Sequence, residues 1–220
     1  YRAAASKTTI NGKEITPNLN ALMKEKDGYV NLSMTSNRGS GVSSDAQISY
    51  FTGLLPIKNE IAVTRIIKNK VIAFPKLLHE QKGYHTYITL PTGKNFWHQE
   101  EANIKYGIDN VIELGNKTND FFCQDEELFK NLKQITPTLK KPYLNIILTL
   151  SMHGGYDDDF LKEQNKKSPF NYPNSYPMIF RHYLDKCYYT DAQIGQYINY
   201  LKKSKQYNNT ITLICSDHEV

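Results

Sequence analysis

Cysteine is scarce in this chain, with only Cys123, Cys187 and Cys215 among 220 residues. An odd, widely spaced set excludes a disulfide framework; Cys187 and Cys215 sit in apolar patterns and read as small core residues. Long hydrophobic runs are also missing. No stretch reaches the ~18 apolar residues of a membrane helix, and no signal peptide is visible. The net charge of +5 is not gathered into a basic run, and no zinc-finger or RNA-binding signature appears, so nucleic acid is not an expected partner. A mildly basic face suits an anionic substrate or a membrane surface. No repeat or low-complexity tract occurs. Nor is there a G-x-S-x-G elbow: the sequence around Ser43 reads Gly41-Val42-Ser43-Ser44-Asp45, which argues against an ordinary serine hydrolase. The chain has no initiator Met and stops just after an expected strand, so it reads as an excised piece.

What is present fits one α/β domain over residues 1–220, with 40% hydrophobic and 22% charged residues. Thr16-Pro17 predicts an N-cap and a short helix to Lys26. Tyr29 to Met34 predicts a strand, Arg38 to Val42 a Gly/Ser turn, and Ser43 to about Leu54 a helix. Further helices are expected over Phe74–Gln81, Trp97–Tyr106, Phe121–Gln134 and, longest, Tyr176–Lys205. Tyr84 to Thr89 reads as a strand, and Tyr143 to Leu150 as a central strand buried on both faces. Thr210 to Ser216 reads as a last buried strand. Strands alternating with helices predict a mostly parallel sheet flanked by helices on both faces. Along the longest helix, Phe180, Leu184, Cys187, Asp191, Ile194, Ile198 and Leu201 form one stripe. Asp191 within that stripe needs donors and reads as a structural hydrogen-bond acceptor near the site.

Sites in such sheets form beyond the carboxyl ends of strands. Three groups fall there: His153, the Asp217-His218 pair, and Ser43, which opens a helix whose free N–H groups suit an anion. A serine hydroxyl is a poor nucleophile without a base or a metal. A metal held by Ser43, Asp217 and His218 would serve, and the helix start would cradle phosphoryl oxygens. Each signal alone also has an ordinary structural explanation: an N-cap for Ser43, turns for Asp217-His218 and His153, core packing for Trp97.

Asn11-Gly12-Lys13-Glu14-Ile15-Thr16-Pro17-Asn18-Leu19 resembles the N-G-x-x-x-T-P-x-L segment of lipoteichoic acid synthases and related sulfatase-fold transferases. Gly41-Val42-Ser43-Ser44-Asp45-Ala46-Gln47 resembles their G-x-T-S-D-x-E motif, with Ser43 in place of the nucleophilic Thr. Phe96-Trp97 through Tyr106-Gly107-Ile108-Asp109, Leu148-Thr149-Leu150-Ser151-Met152-His153 and Ser216-Asp217-His218 complete the match, in order, over nearly the whole chain.

The resemblance implies the alkaline phosphatase/sulfatase fold and one divalent ion, Mn or Zn ahead of Mg given an imidazole ligand. It implies Ser43 as nucleophile, His153 as a catalytic and substrate-binding residue, and Trp97 against the headgroup. A phospholipid would donate a phosphoglycerol or phosphoethanolamine headgroup to a glycan or lipid acceptor. The domain would lie on the extracytoplasmic side of the cell membrane, behind an upstream anchor. A further Glu ligand is expected just before Tyr1, and without it the piece is expected to bind metal poorly. Gln99 stands where these synthases carry a substrate-gripping Arg, and Leu90 stands for a substrate His. Two alternatives are a phosphodiesterase or sulfatase-like hydrolase and a catalytically silent binding domain. True sulfatase chemistry lacks its C/S-x-P-x-R context at Ser43.

Overall fold

The structure, a computed structural model, describes residues 3–33, 39, 42–115 and 122–217. In chain order its helices are α1 (Ala3–Ser6), α2 (Pro17–Leu22), α3 (Ser43–Thr52), α4 (Val63–Ile66), α5 (Phe74–Lys82), α6 (Gln99–Tyr106), α7 (Asp125–Ile135), α8 (Phe160–Glu163) and α9 (Met178–Lys203). The strands are β1 (Thr9–Ile10), β2 (Lys13–Glu14), β3 (His85–Leu90), β4 (Asn110–Glu113) and β5 (Tyr143–Ile147). The described residues divide into two compact units: 3–33 with 151–214, and those between 39 and 150 with 215–217.

The second unit holds a parallel sheet flanked by helices, as expected. Its strand order is β4-β3-β5, with Ile88 opposite Val111 on one side and Ile146 on the other. β3 is therefore the central strand. From Thr86 to Leu90 every residue is buried, which requires cover on both faces. Ile88 and Leu90 meet Ile48 and Phe51 of α3, Ala102 and Tyr106 of α6, and the α4 residues Val63 and Ile66. Phe51 packs edge-on to Tyr106 at 5.1 Å. On α7, Leu128 and Leu132 are fully buried, each such leucine contributing about 1.5–3 kcal/mol.

In the first unit, a hairpin of β1 and β2, the Phe170 ring and α9 enclose Ile10, Ile15, Leu184 and Cys187. α2 starts at Pro17, as expected, but Thr16 does not cap it. Its hydroxyl donates to Asn20 Oδ1 at 3.3 Å instead. The cap comes from Asp191 on α9, whose carboxylate accepts from Asn18 N at 3.0 Å, Asn18 Nδ2 at 2.8 Å and Leu19 N at 2.8 Å. The expected structural role of Asp191 is thus observed. Burial pushes its carboxyl pKa up, and these donors oppose that shift.

Several expectations fail. β5 is an edge strand among the described residues and only half-buried, because its continuous apolar run fits a sheet without specifying two neighbours. Residues 29–33 form no strand, and Tyr29 is 90% exposed. Residues 210–216 form no strand either, with Ile211 99% exposed. A strand pattern gives pairing capacity, but pairing needs an adjacent edge. Cys215 is exposed for the same reason, whereas Cys187 is buried as expected. Phe180, at the start of the α9 stripe, is exposed too. Most of the turn expected over Arg38–Val42 lies outside the described residues.

Candidate active site

Ser43 is the first residue of α3. The preceding Val42 has φ 49°, a left-handed backbone that a β-branched residue adopts only under strain. The turn is held from inside by Asp45, which is fully buried and accepts from Gly39 N at 2.7 Å and from Ala62 N at 3.4 Å. A Cβ on Gly39 would lie 2.4 Å from the Ile57 carbonyl oxygen, so only glycine fits. The anchoring leaves Ser43 exposed at the positive end of α3, where the first backbone N–H groups of a helix point out along its axis.

Its hydroxyl donates to Asp217 Oδ2 at 2.6 Å. The structure thus joins two of the expected site residues across 174 positions. His218 lies outside the described residues. One further residue escaped the sequence reading. Tyr50 stands seven positions after Ser43, two helical turns along the same face. Its hydroxyl donates to the Ser216 carbonyl, immediately before Asp217. Burial, and then the neighbouring Cys215, push the Tyr50 pKa up to about 12, so it stays a donor at physiological pH. The seven-residue spacing could have flagged it.

Among the described residues no cluster of three His, Cys, Asp or Glu could hold a metal ion. Yet the exposed hydroxyl and carboxylate converge on one spot at a helix N-terminus. Two oxygen donors there fit a hard or borderline divalent ion, with the expected imidazole of His218 as third donor.

Gln47 follows Ser43 by one turn and points inward. Gln99 Nε2 donates to Gln47 Oε1 at 3.3 Å, and Asn103 Nδ2 donates to Gln99 Oε1 at 3.2 Å. All three side chains are buried. Gln99 and the fully buried Leu90 therefore offer nothing to a ligand. Trp97 is 47% exposed; its backbone has φ 53°, and its ring packs edge-on to Phe96 at 6.0 Å. An aromatic face displayed on a strained turn suits ligand contact. His153, in the other unit, is exposed on the turn that follows β5, with Nδ1 3.3 Å from the Gly154 carbonyl.

The Sulfatase family profile matches residues 2–219. Lipoteichoic acid synthase of Staphylococcus aureus strain USA300 is 26% identical over 223 residues, covering 95% of this chain and 33% of its own length. The chain therefore spans about a third of the curated relatives it matches. Among solved structures, the lipoteichoic acid synthase LtaP of Listeria monocytogenes superposes with a TM-score of 0.77 at 21% identity, over 94% of this chain and 50% of that one. The C-terminal periplasmic domain of EcEptC from Escherichia coli, solved in complex with Zn, superposes at 0.56 with 16% identity, over 87% and 54%.

Proposed function

The chain belongs to the sulfatase family, and from that premise we propose that it carries the nucleophile of a phospholipid-headgroup transferase. The observation that carries this reading is the Ser43 hydroxyl, at the start of α3 and 2.6 Å from the Asp217 carboxylate. In the first step, Ser43 Oγ forms a bond to the headgroup phosphorus while the bond from phosphorus to the diacylglycerol oxygen breaks. Asp217 draws the hydroxyl proton away, and the α3 amides hold the non-bridging oxygens. His153 orients the phosphate and protonates the leaving oxygen, and Trp97 packs on the headgroup. In the second step a hydroxyl of a glycan or lipid acceptor attacks phosphorus and passes its proton to His153, while Ser43 Oγ leaves and takes its proton back from Asp217. Ser43, Asp217 and His218 would hold a divalent ion, Mn or Zn ahead of Mg, which lowers the pKa of the hydroxyl and neutralises phosphoryl charge.

The donor carries phosphoglycerol or phosphoethanolamine, and the work is done on the extracytoplasmic face of the membrane. Among the described residues no helix is long and apolar enough to cross a membrane; the attachment in this proposal is an upstream anchor. A second reading, hydrolysis of the same phosphodiester, is favoured by the burial of Gln99 and Leu90, which leaves the expected headgroup-gripping positions without a polar side chain facing a ligand.

The test is to incubate the full-length protein with phospholipid labelled in the headgroup and no acceptor. Label should accumulate on Ser43, and Ser43→Ala should reduce turnover at least ~10³-fold. Unchanged turnover in Ser43→Ala ends the proposal. Release of free headgroup phosphate at the same rate with or without acceptor selects the hydrolase.

A further inference from the structure

On the buried face of α9, beside Cys187, sits a lysine. Lys186 is 7% exposed and has no ion pair among the described residues. Its ammonium donates to the carbonyl oxygens of His153 at 3.1 Å and Gly155 at 2.9 Å. The same ammonium lies 5.0 Å from the Tyr156 ring centroid and 5.2 Å from that of Phe160. Burial pushes its pKa down, against the charges of Glu163 and Asp158.

An ammonium taken out of water is costly, and two carbonyl bonds with two aromatic faces at best offset that cost. A methionine of similar shape would fill the space without it. Stability alone therefore gives a poor account of a cation here. What a cation supplies is several donors at one point, and both carbonyls it takes flank the same peptide turn. The carbonyl left over, that of Gly154, faces Nδ1 of His153. A carbonyl only accepts, so this contact keeps a hydrogen on Nδ1 and leaves Nε2 as the ligand-facing nitrogen, the position that carries the proton given to the leaving oxygen. The Tyr156 hydroxyl donates to the Met152 carbonyl at 3.0 Å and secures the same turn.

We propose that Lys186 is the positioning residue of His153: by gripping the carbonyls of residues 153 and 155 it fixes the turn that sets the ring's orientation and tautomer. The inference rests on the role given above to His153. Without the ammonium, the two carbonyls turn to water and the ring loses its fixed direction, and a misplacement of about 1 Å is enough to cost roughly a hundredfold in rate.

The experiment compares Lys186→Met, Lys186→Arg, His153→Ala and the Lys186→Met/His153→Ala double variant in the full-length protein. It reads headgroup release from labelled phosphatidylglycerol vesicles and 15N NMR of the His153 ring. Lys186→Met is expected to lower kcat by about tenfold to a hundredfold with little change in KM, and to mix the His153 tautomers. Lys186→Arg is expected to recover most of the rate. The double variant is expected to be no slower than His153→Ala, because a residue acting only through His153 has nothing left to act on. Lys186→Gln, which keeps one donor group, replaces Lys186→Met if the latter does not fold. Losses that multiply in the double variant, or a wild-type tautomer in Lys186→Met, overturn the inference alone. A wild-type rate in His153→Ala overturns the role of His153 and the inference with it.

Discussion

Gln47 and Gln99 stand 52 positions apart and meet in the core through one amide hydrogen bond. Both departures from the lipoteichoic acid synthase pattern are visible in the sequence, a Gln for a Glu and a Gln for an Arg. Their partnership is not, since nothing in either segment points to the other. The chain of neutral amides from Asn103 through Gln99 to Gln47 requires no counter-charge. A charge placed on one member alone would be buried without a partner. Gln47→Glu is therefore expected to lower stability by about 1–3 kcal/mol, and Gln99→Arg by a similar amount. The Gln47→Glu/Gln99→Arg double variant should recover at least half of the summed loss, because carboxylate and guanidinium can pair in bidentate fashion. Urea unfolding of the four proteins gives the coupling energy directly. A value near zero would mean that the two side chains are not neighbours.

At the scale of elements, α9 organises the first unit. Its apolar stripe was legible from spacing alone, and Asp191 within the stripe was recognisable as a group needing donors. That those donors belong to the start of α2 was not legible, because Thr16-Pro17 already looks like a self-sufficient helix start. The fit between the two helices depends on Gly195, one turn beyond Asp191. A Cβ there would lie 2.2 Å from Asn18 Oδ1 and 2.8 Å from Asn18 Cβ. Asn18 cannot simply swing aside, because its amide nitrogen donates to Asp191. Alanine favours a helix over glycine by about 1 kcal/mol, whereas overpacking costs about 1–3 kcal/mol and the strained capping bonds add to it. Gly195→Ala should therefore destabilise by about 1–2 kcal/mol net, measured by thermal unfolding. A gain in stability would show that α2 does not rest on α9 at this point.

Over the whole molecule, the sequence was most informative where structure is local and least where it depends on neighbours. α5, α6, α7 and α9 lie close to their expected spans, since period and stop signals act within each segment. The parallel character of the sheet followed from alternation, yet the positions of its strands did not. The continuous apolar runs at 143–150 and 210–216 look alike in sequence. One forms β5 beside β3, and the other forms no ladder among the described residues. The candidate site divides the same way: Ser43 and Asp217 each stand out in the sequence, by motif and by pair, but their hydrogen bond and the tether from Tyr50 to the segment before Asp217 depend on the fold. The contrast between the two runs and the buried centre of the sheet can be measured. Ile88 is fully buried between α3 and α6, so Ile88→Ala should cost about 2–5 kcal/mol. Ile211, 99% exposed, leaves no cavity when truncated, and Ile211→Ala in this 220-residue chain should change stability by no more than about 0.5 kcal/mol. Denaturant unfolding of both variants decides the matter, with an unchanged m-value confirming that the same surface is exposed on unfolding. A cost for Ile211→Ala of the same size as for Ile88→Ala would mean that residues 210–216 are packed as a strand after all, and that a sheet helps to hold the segment that brings Asp217 to Ser43.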